Sequence, residues 1–194
     1  MGHYEVEVHG IKVHASVLDN HVLVGDQIDG LWSSLNKFSG ADLAAFDFKV
    51  IPKCPGTALL ILFAGTRCLI VQLRDSVTQS SKSLMNFLTD EEVCLVGILD
   101  FMKNYELRRA LAMTECAEIG VRLADLAARV LKKPHLLSRG LVDLAAEVDL
   151  FYNHPEKVEL SEWAGRVLSH EEVKFVIHDA CACYNIAANL LKQL

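Results

Sequence analysis

Two apolar runs, Leu59–Phe63 and Cys68–Leu73, flank the turn Ala64-Gly65-Thr66-Arg67. Such a pair reads as a β-hairpin, and a lone hairpin is marginal in water, so it must belong to a larger sheet with a covered face. Neighbouring segments supply that sheet. Tyr4, Val6 and Val8 alternate with Glu5 and Glu7, and Ile11 and Val13 resume the period after His9-Gly10, which predicts an N-terminal hairpin. Ala44 to Ile51 (AAFDFKVI) predicts a buried strand carrying two charges, Asp47 and Lys49. Between these, Ile28, Leu31, Trp32, Leu35 and Phe38 fall at helical spacing, with Asp26 as the expected N-cap.

The second half mixes the two periods. Ser83–Leu88 predicts a short helix, Val93–Leu99 a strand, Met102–Ala112 a helix, and Ala117–Val121 a weak strand. Helices are expected at Leu123–Leu131 and Gly140–Val148, followed by a loop near Asn153–Glu159. Ser169-His170-Glu171-Glu172 is a capping box that opens a long helix from His170 to about Lys192. Strands first and then alternating strand and helix describe an α/β protein, a mixed sheet with helices packed on it. The 194 residues fit one domain, 1–194.

Composition narrows the function classes. Hydrophobic types make up 52%, with only 4 Pro and 11 Gly, which excludes disorder and low-complexity sequence. The net charge of −6 argues against coating nucleic acid by bulk charge, while leaving room for a local groove that holds one strand end. Six cysteines include no CxxC pair, and Cys68 and Cys94 sit in apolar runs. They read as reduced, buried small hydrophobes of an intracellular protein, in cytoplasm or nucleus, rather than zinc ligands. MGHYEVEVHG has no apolar signal region, and the longest apolar run, Ala58–Ala64, falls far short of the ~20 residues that span a bilayer. No membrane role is expected.

The informative residues are charges in apolar places. Asp47 and Lys49 are two apart on a strand and share a face. Asp179 interrupts an otherwise apolar helix, with Phe175 one turn before it. A carboxylate buried there requires a cation, a metal or a wet groove, and an ion pair with Lys or Arg is the plainest solution. His178-Asp179 lacks the further His and Asp ligands of a metal phosphohydrolase, and no nucleophile elbow or phosphate loop is present. Trp163 reads as a packing residue rather than a base-stacking platform, and Phe151 and Tyr152 have core readings as good as stacking ones.

AFDFKV, TALLILFAGTRCLIVQL, LVGILDFMKNYEL, GLVDLAAEV and VELSEWAGRVLSHEEVKFVIHDACACYNIAANLL occur in one order from about Tyr4 to Leu191. In this order the chain resembles the plant proteins similar to the Werner-syndrome exonuclease, of the DnaQ-like 3′–5′ exonuclease superfamily. Ser161, Trp163, Leu168-Ser169, Val173 and Asp179 hold the family spacing. The resemblance implies a ribonuclease-H-like mixed sheet flanked by helices. It also implies a site of four carboxylates, aided by Tyr or His, around two metal ions. At the first motif, Asp-x-Glu, this chain reads Asp47-Phe48-Lys49. At the second, counting from Gly97 with Leu107 in register, Lys103 stands for Asp, and Asp100 would serve only with a shifted register. At the third, Tyr-x-x-x-Asp, the chain reads Phe175 to Asp179.

Asp47 and Asp179 are thus the retained catalytic and metal positions, and Lys49, Lys103 and Phe175 the altered ones. Each ammonium opposes a nearby cation by about 4 kcal/mol per unit charge at 4 Å and an effective dielectric of 20. The expectation is a catalytically impaired exonuclease-family protein with no cofactor, its lysines paired to Asp47 and Asp179. It would bind a single-stranded DNA or RNA end, with Lys49 and Lys103 touching phosphate. Two other readings stand beside it. One is an active 3′–5′ exonuclease using Mg²⁺ or Mn²⁺. The other is a structural or regulatory subunit that assembles with itself or with an active paralogue.

Overall fold

The computed structural model describes residues 2–19, 23–38, 40–51, 57–74, 82–99, 105–111, 119–153, 158 and 167–194. The expected hairpins form as β1 (Gly2–Val8) with β2 (Ile11–Leu18) and β5 (Thr57–Ala64) with β6 (Arg67–Arg74). The first turn places His9 at φ 49° and Gly10 at φ 74°. Two successive positive φ values give the turn whose twist matches the flanking strands. β4 (Ala41–Val50) pairs antiparallel with β5 and parallel with β7 (Val93–Gly97), which pairs parallel with β8 (Val121–Arg122). β2 lies parallel to β6, and the sheet runs β1-β2-β6-β5-β4-β7-β8, with β3 (Asn36–Phe38) added to the start of β4.

Helices cover both faces. α1 (Val24–Trp32), α2 (Lys82–Leu88) and α3 (Tyr105–Ala110) contribute to one core, with Ala44, Phe46 and Phe48 of β4. α4 (Leu123–Val130), α5 (Leu141–Ala146) and α6 (His170–Leu191) contribute to the other, with Leu43 and Ala45. The period of two in β4 therefore sends Asp47 and Lys49 toward α6. α6 starts where the capping box demands: Ser169 accepts from the Glu172 N–H at 3.2 Å, and Glu172 accepts from the Ser169 N–H at 2.6 Å. A single turn of tighter helix, Pro134–Ser138, joins α4 to α5. No helix among the described residues is long and apolar enough to cross a membrane.

Several expectations require correction. Asp26 is not the N-cap of α1; Leu23 holds that position without a side-chain bond, and Asp26 sits in the first turn. Leu35 and Phe38 are not helical, because the chain leaves α1 after Trp32 and Asn36–Phe38 pairs with Ala41–Leu43. Gly40, at φ 87°, makes that reversal possible. Cys94 is only partly buried, whereas Cys68, Cys181 and Cys183 are buried as expected. Phe151 is not a packing residue: it is 84% exposed.

Gly97 stands opposite Phe46 in the β4–β7 register. A Cβ on Gly97 would lie 2.1 Å from the Phe46 ring, itself fully buried. The buried ring would have to shift to make room, so Gly97→Ala is expected to cost about 1–3 kcal/mol. A urea titration checks this; an unchanged midpoint would mean that the ring adapts.

Candidate functional site

Asp47 projects from β4 and is 4% exposed. Its Oδ1 accepts from the Phe48 N–H at 2.8 Å, a local bond that fixes the carboxylate plane and leaves Oδ2 directed at Lys49. Lys49 follows on the same face, and its Nζ lies 2.9 Å from Asp47 Oδ2 and 2.9 Å from Asp179 Oδ2. One ammonium thus bridges strand and helix, joining carboxylates 132 positions apart. The Phe175 ring lies 5.9 Å from Nζ, one turn before Asp179 on α6. Four of the residues singled out in the sequence, Asp47, Lys49, Phe175 and Asp179, therefore converge. Lys103, Asp100, Ser161 and Trp163 lie outside the described residues, as do Cys54 and Cys116.

Tyr152 was the residue the sequence hid. Its hydroxyl donates to Asp179 Oδ1 at 2.7 Å, so the helix carboxylate has a phenol although position 175 has none. His178 is 7% exposed, its Nδ1 3.7 Å from Asp179 Oδ1, too long for a hydrogen bond. Among the described residues that nitrogen is buried without a hydrogen-bond partner. His9, carried by the positive-φ turn, brings its ring to 4.2 Å from His178 and 5.6 Å from Tyr152, closing a three-ring cluster beside Asp179. Distance along the chain explains the oversight. A tyrosine missing at 175 was the one signal that a hydroxyl might come from elsewhere.

The electrostatics follow from these contacts. Burial alone would lower the Lys49 pKa, but Asp47 and Asp179 outweigh it and leave the pKa above the ordinary lysine value. Burial alone would likewise raise Asp179; the Lys49 charge and the hydrogen bonds from Tyr152 and Lys49 reverse this and hold the carboxyl well below the usual range. Tyr152 is pushed far up by burial and by its bond to Asp179, so it remains a donor at any ordinary pH. His9 is lowered, first by burial and then by the adjacent His178. Among the described residues, no group of three or more His, Cys, Asp and Glu side chains is arranged to hold a metal ion.

An antiparallel three-strand unit, β6-β5-β4, continued by the parallel strands β7 and β8 and covered by helices on both faces, defines a ribonuclease-H-like α/β fold. Solved structures share this fold. Brucella melitensis NrnC superposes with a TM-score of 0.58 at 17% identity, over 93% of this chain and 79% of that one. NrnC with bound Mg²⁺ gives 0.55 at 16% identity, over the same shares of the two chains. Escherichia coli RNase D, an exoribonuclease involved in structured RNA processing, gives 0.60 at 12% identity, over 92% of this chain but 44% of its own. The chain thus spans less than half of RNase D. Compared with protein-family models and with curated protein sequences, it finds no match.

Proposed function

We propose that this chain is a nucleic-acid-binding member of the 3′–5′ exonuclease superfamily, similar to the plant Werner-type proteins and catalytically impaired. The observation that carries the reading is the Lys49 ammonium, 2.9 Å from both Asp47 and Asp179. It stands where a cation shared by the two carboxylates would stand. The group that this fold implies is a divalent metal, as in the Mg²⁺-bound NrnC structure. The residues present do not fit it. Two carboxylates and one ammonium sum to −2 + 1 = −1, and the ammonium opposes a second cation by several kcal/mol at contact distance. Hydrolysis by two metals needs the opposite arrangement, a carboxylate cage with open coordination positions.

A single-stranded DNA or RNA end is the ligand in this reading, held where β4 and α6 bring Lys49 beside Asp47 and Asp179, with Lys49 and Lys103 as the proposed phosphate contacts. Assembly with itself or with a paralogue belongs to the same reading, in which an impaired member contributes its surface rather than its chemistry. One observation favours the active alternative: Tyr152 restores to Asp179 a hydroxyl of the kind lost at position 175. That hydroxyl donates to the carboxylate, however, and Lys49 would still have to leave before a metal could enter.

Fluorescence anisotropy with 3′-labelled and 5′-labelled single strands, in chelator and at low salt, tests the binding. Saturable binding without metal is expected, weakening as salt rises because phosphate contacts release counterions. Absence of binding to both DNA and RNA strands would remove the proposal.

A further inference from the structure

Tyr152 has two sides. Its hydroxyl belongs to the carboxylate site, while its ring lines a separate pocket of about 290 Å³. His9 and Ile11 of the β1–β2 hairpin form one wall, Phe151 and Tyr152 a second, and Ala182 and Asn185 of α6 a third. Volumes of this order hold one small molecule. The described lining contains no carboxylate, ammonium or guanidinium. Burial and the adjacent His178 lower the pKa of His9 and so disfavour its charged form. A charged ligand therefore finds no counter-ion here, and an uncharged one meets no desolvated charge.

Two side chains in the pocket are not accounted for by packing. Phe151 is held in water at 84% exposure, although the pocket it lines offers apolar surface. Among the described residues Asn185, partly buried on α6, makes one long contact, from Nδ2 to the Cys181 sulfur at 3.7 Å. Its amide oxygen and second N–H remain for a ligand, and a carboxamide offers donor and acceptor side by side. Exposed aromatic rings stack on flat heteroaromatic faces, and the paired edge of a carboxamide matches the N6/N7 edge of adenine.

We propose that this pocket binds an uncharged nucleobase, presented as a free nucleoside or base, stacked on Phe151 and hydrogen-bonded by Asn185. The pocket adjoins the Asp47–Lys49–Asp179 cluster through Tyr152 and His9 but does not depend on the function proposed for that cluster. Adenosine is the probe. Calorimetry of the full chain should show saturable binding of one adenosine, with adenosine 5′-monophosphate binding no more tightly, since the lining supplies no cation. Phe151→Ser and Asn185→Leu should each weaken adenosine roughly tenfold or more, in the range that stacking and base-edge contacts command. Phe151 is solvent-exposed, so its variant keeps the fold and decides the matter even if Asn185→Leu does not. No saturable heat with adenosine, unchanged affinity in Phe151→Ser, or much tighter binding of the monophosphate would each overturn the proposal.

Discussion

Lys49→Met is expected to destabilise the protein by about 3 kcal/mol at pH 7, because removing one partner leaves buried charge uncompensated. Asp47 and Asp179 would then face each other with nothing between them, each now 2.9 Å from the same ammonium. Asp179→Asn should cost less, since Lys49 and Asp47 would remain as a neutral pair. The pH dependence separates this account from a simple loss of packing. In the wild type, the depressed Asp179 pKa contributes stability above the unfolded carboxylate value of about 4, lost as pH falls through the folded one. The raised Lys49 pKa contributes stability below about 10, lost as pH rises through the folded value.

In Lys49→Met the sign reverses. Two facing carboxylates raise one pKa, so the folded state binds a proton more readily than the unfolded state. Its stability therefore gains as pH falls. The gap between wild type and variant should shrink from pH 7 toward pH 4, as read from urea midpoints at each pH. A gap that stays constant would show that the lysine acts through its methylenes alone.

The second large effect concerns metal. Lys49→Glu replaces the resident ammonium with a third carboxylate and should create affinity for Mn²⁺ or Mg²⁺. Without metal the variant should be less stable than wild type, for the reason given above. At about 100-fold over its dissociation constant, the ion would return about 2.7 kcal/mol. For a chain of this size that is a melting-temperature rise of roughly 5–10 °C. Wild type should shift by less than about 1 °C under the same conditions, where the same linkage returns almost nothing without binding. An equal rise in both proteins would mean that Lys49 does not stand in for the ion.

Much of this site could be read from residue spacing. A strand repeats every two residues, so Asp47 and Lys49 had to share a face. The Ser169–Glu172 box fixed the start of α6, and with it the turn on which Asp179 lies. Asp179, isolated among apolar neighbours, called for a cation, a metal or a wet groove, and Lys49 supplies the first of these. The sequence was misleading where tertiary pairing competes with local pattern. Leu35 and Phe38 suit a helix by spacing, yet β3 gains backbone pairing with β4 through the Gly40 reversal. Tyr152 and His9 were illegible for another reason. Each comes from an irregular segment, and neither periodicity nor propensity says where such a residue meets a helix that begins 18 positions after Tyr152.

The central claim is that the ammonium of Lys49 has replaced a catalytic cation. The most direct measurement incubates the purified wild-type chain with 3′-labelled and 5′-labelled single-stranded DNA and RNA, in Mg²⁺, in Mn²⁺ and in chelator. Intact strands are expected in every condition. A ladder of shortened products that grows from the 3′ end with metal and vanishes with chelator would contradict it.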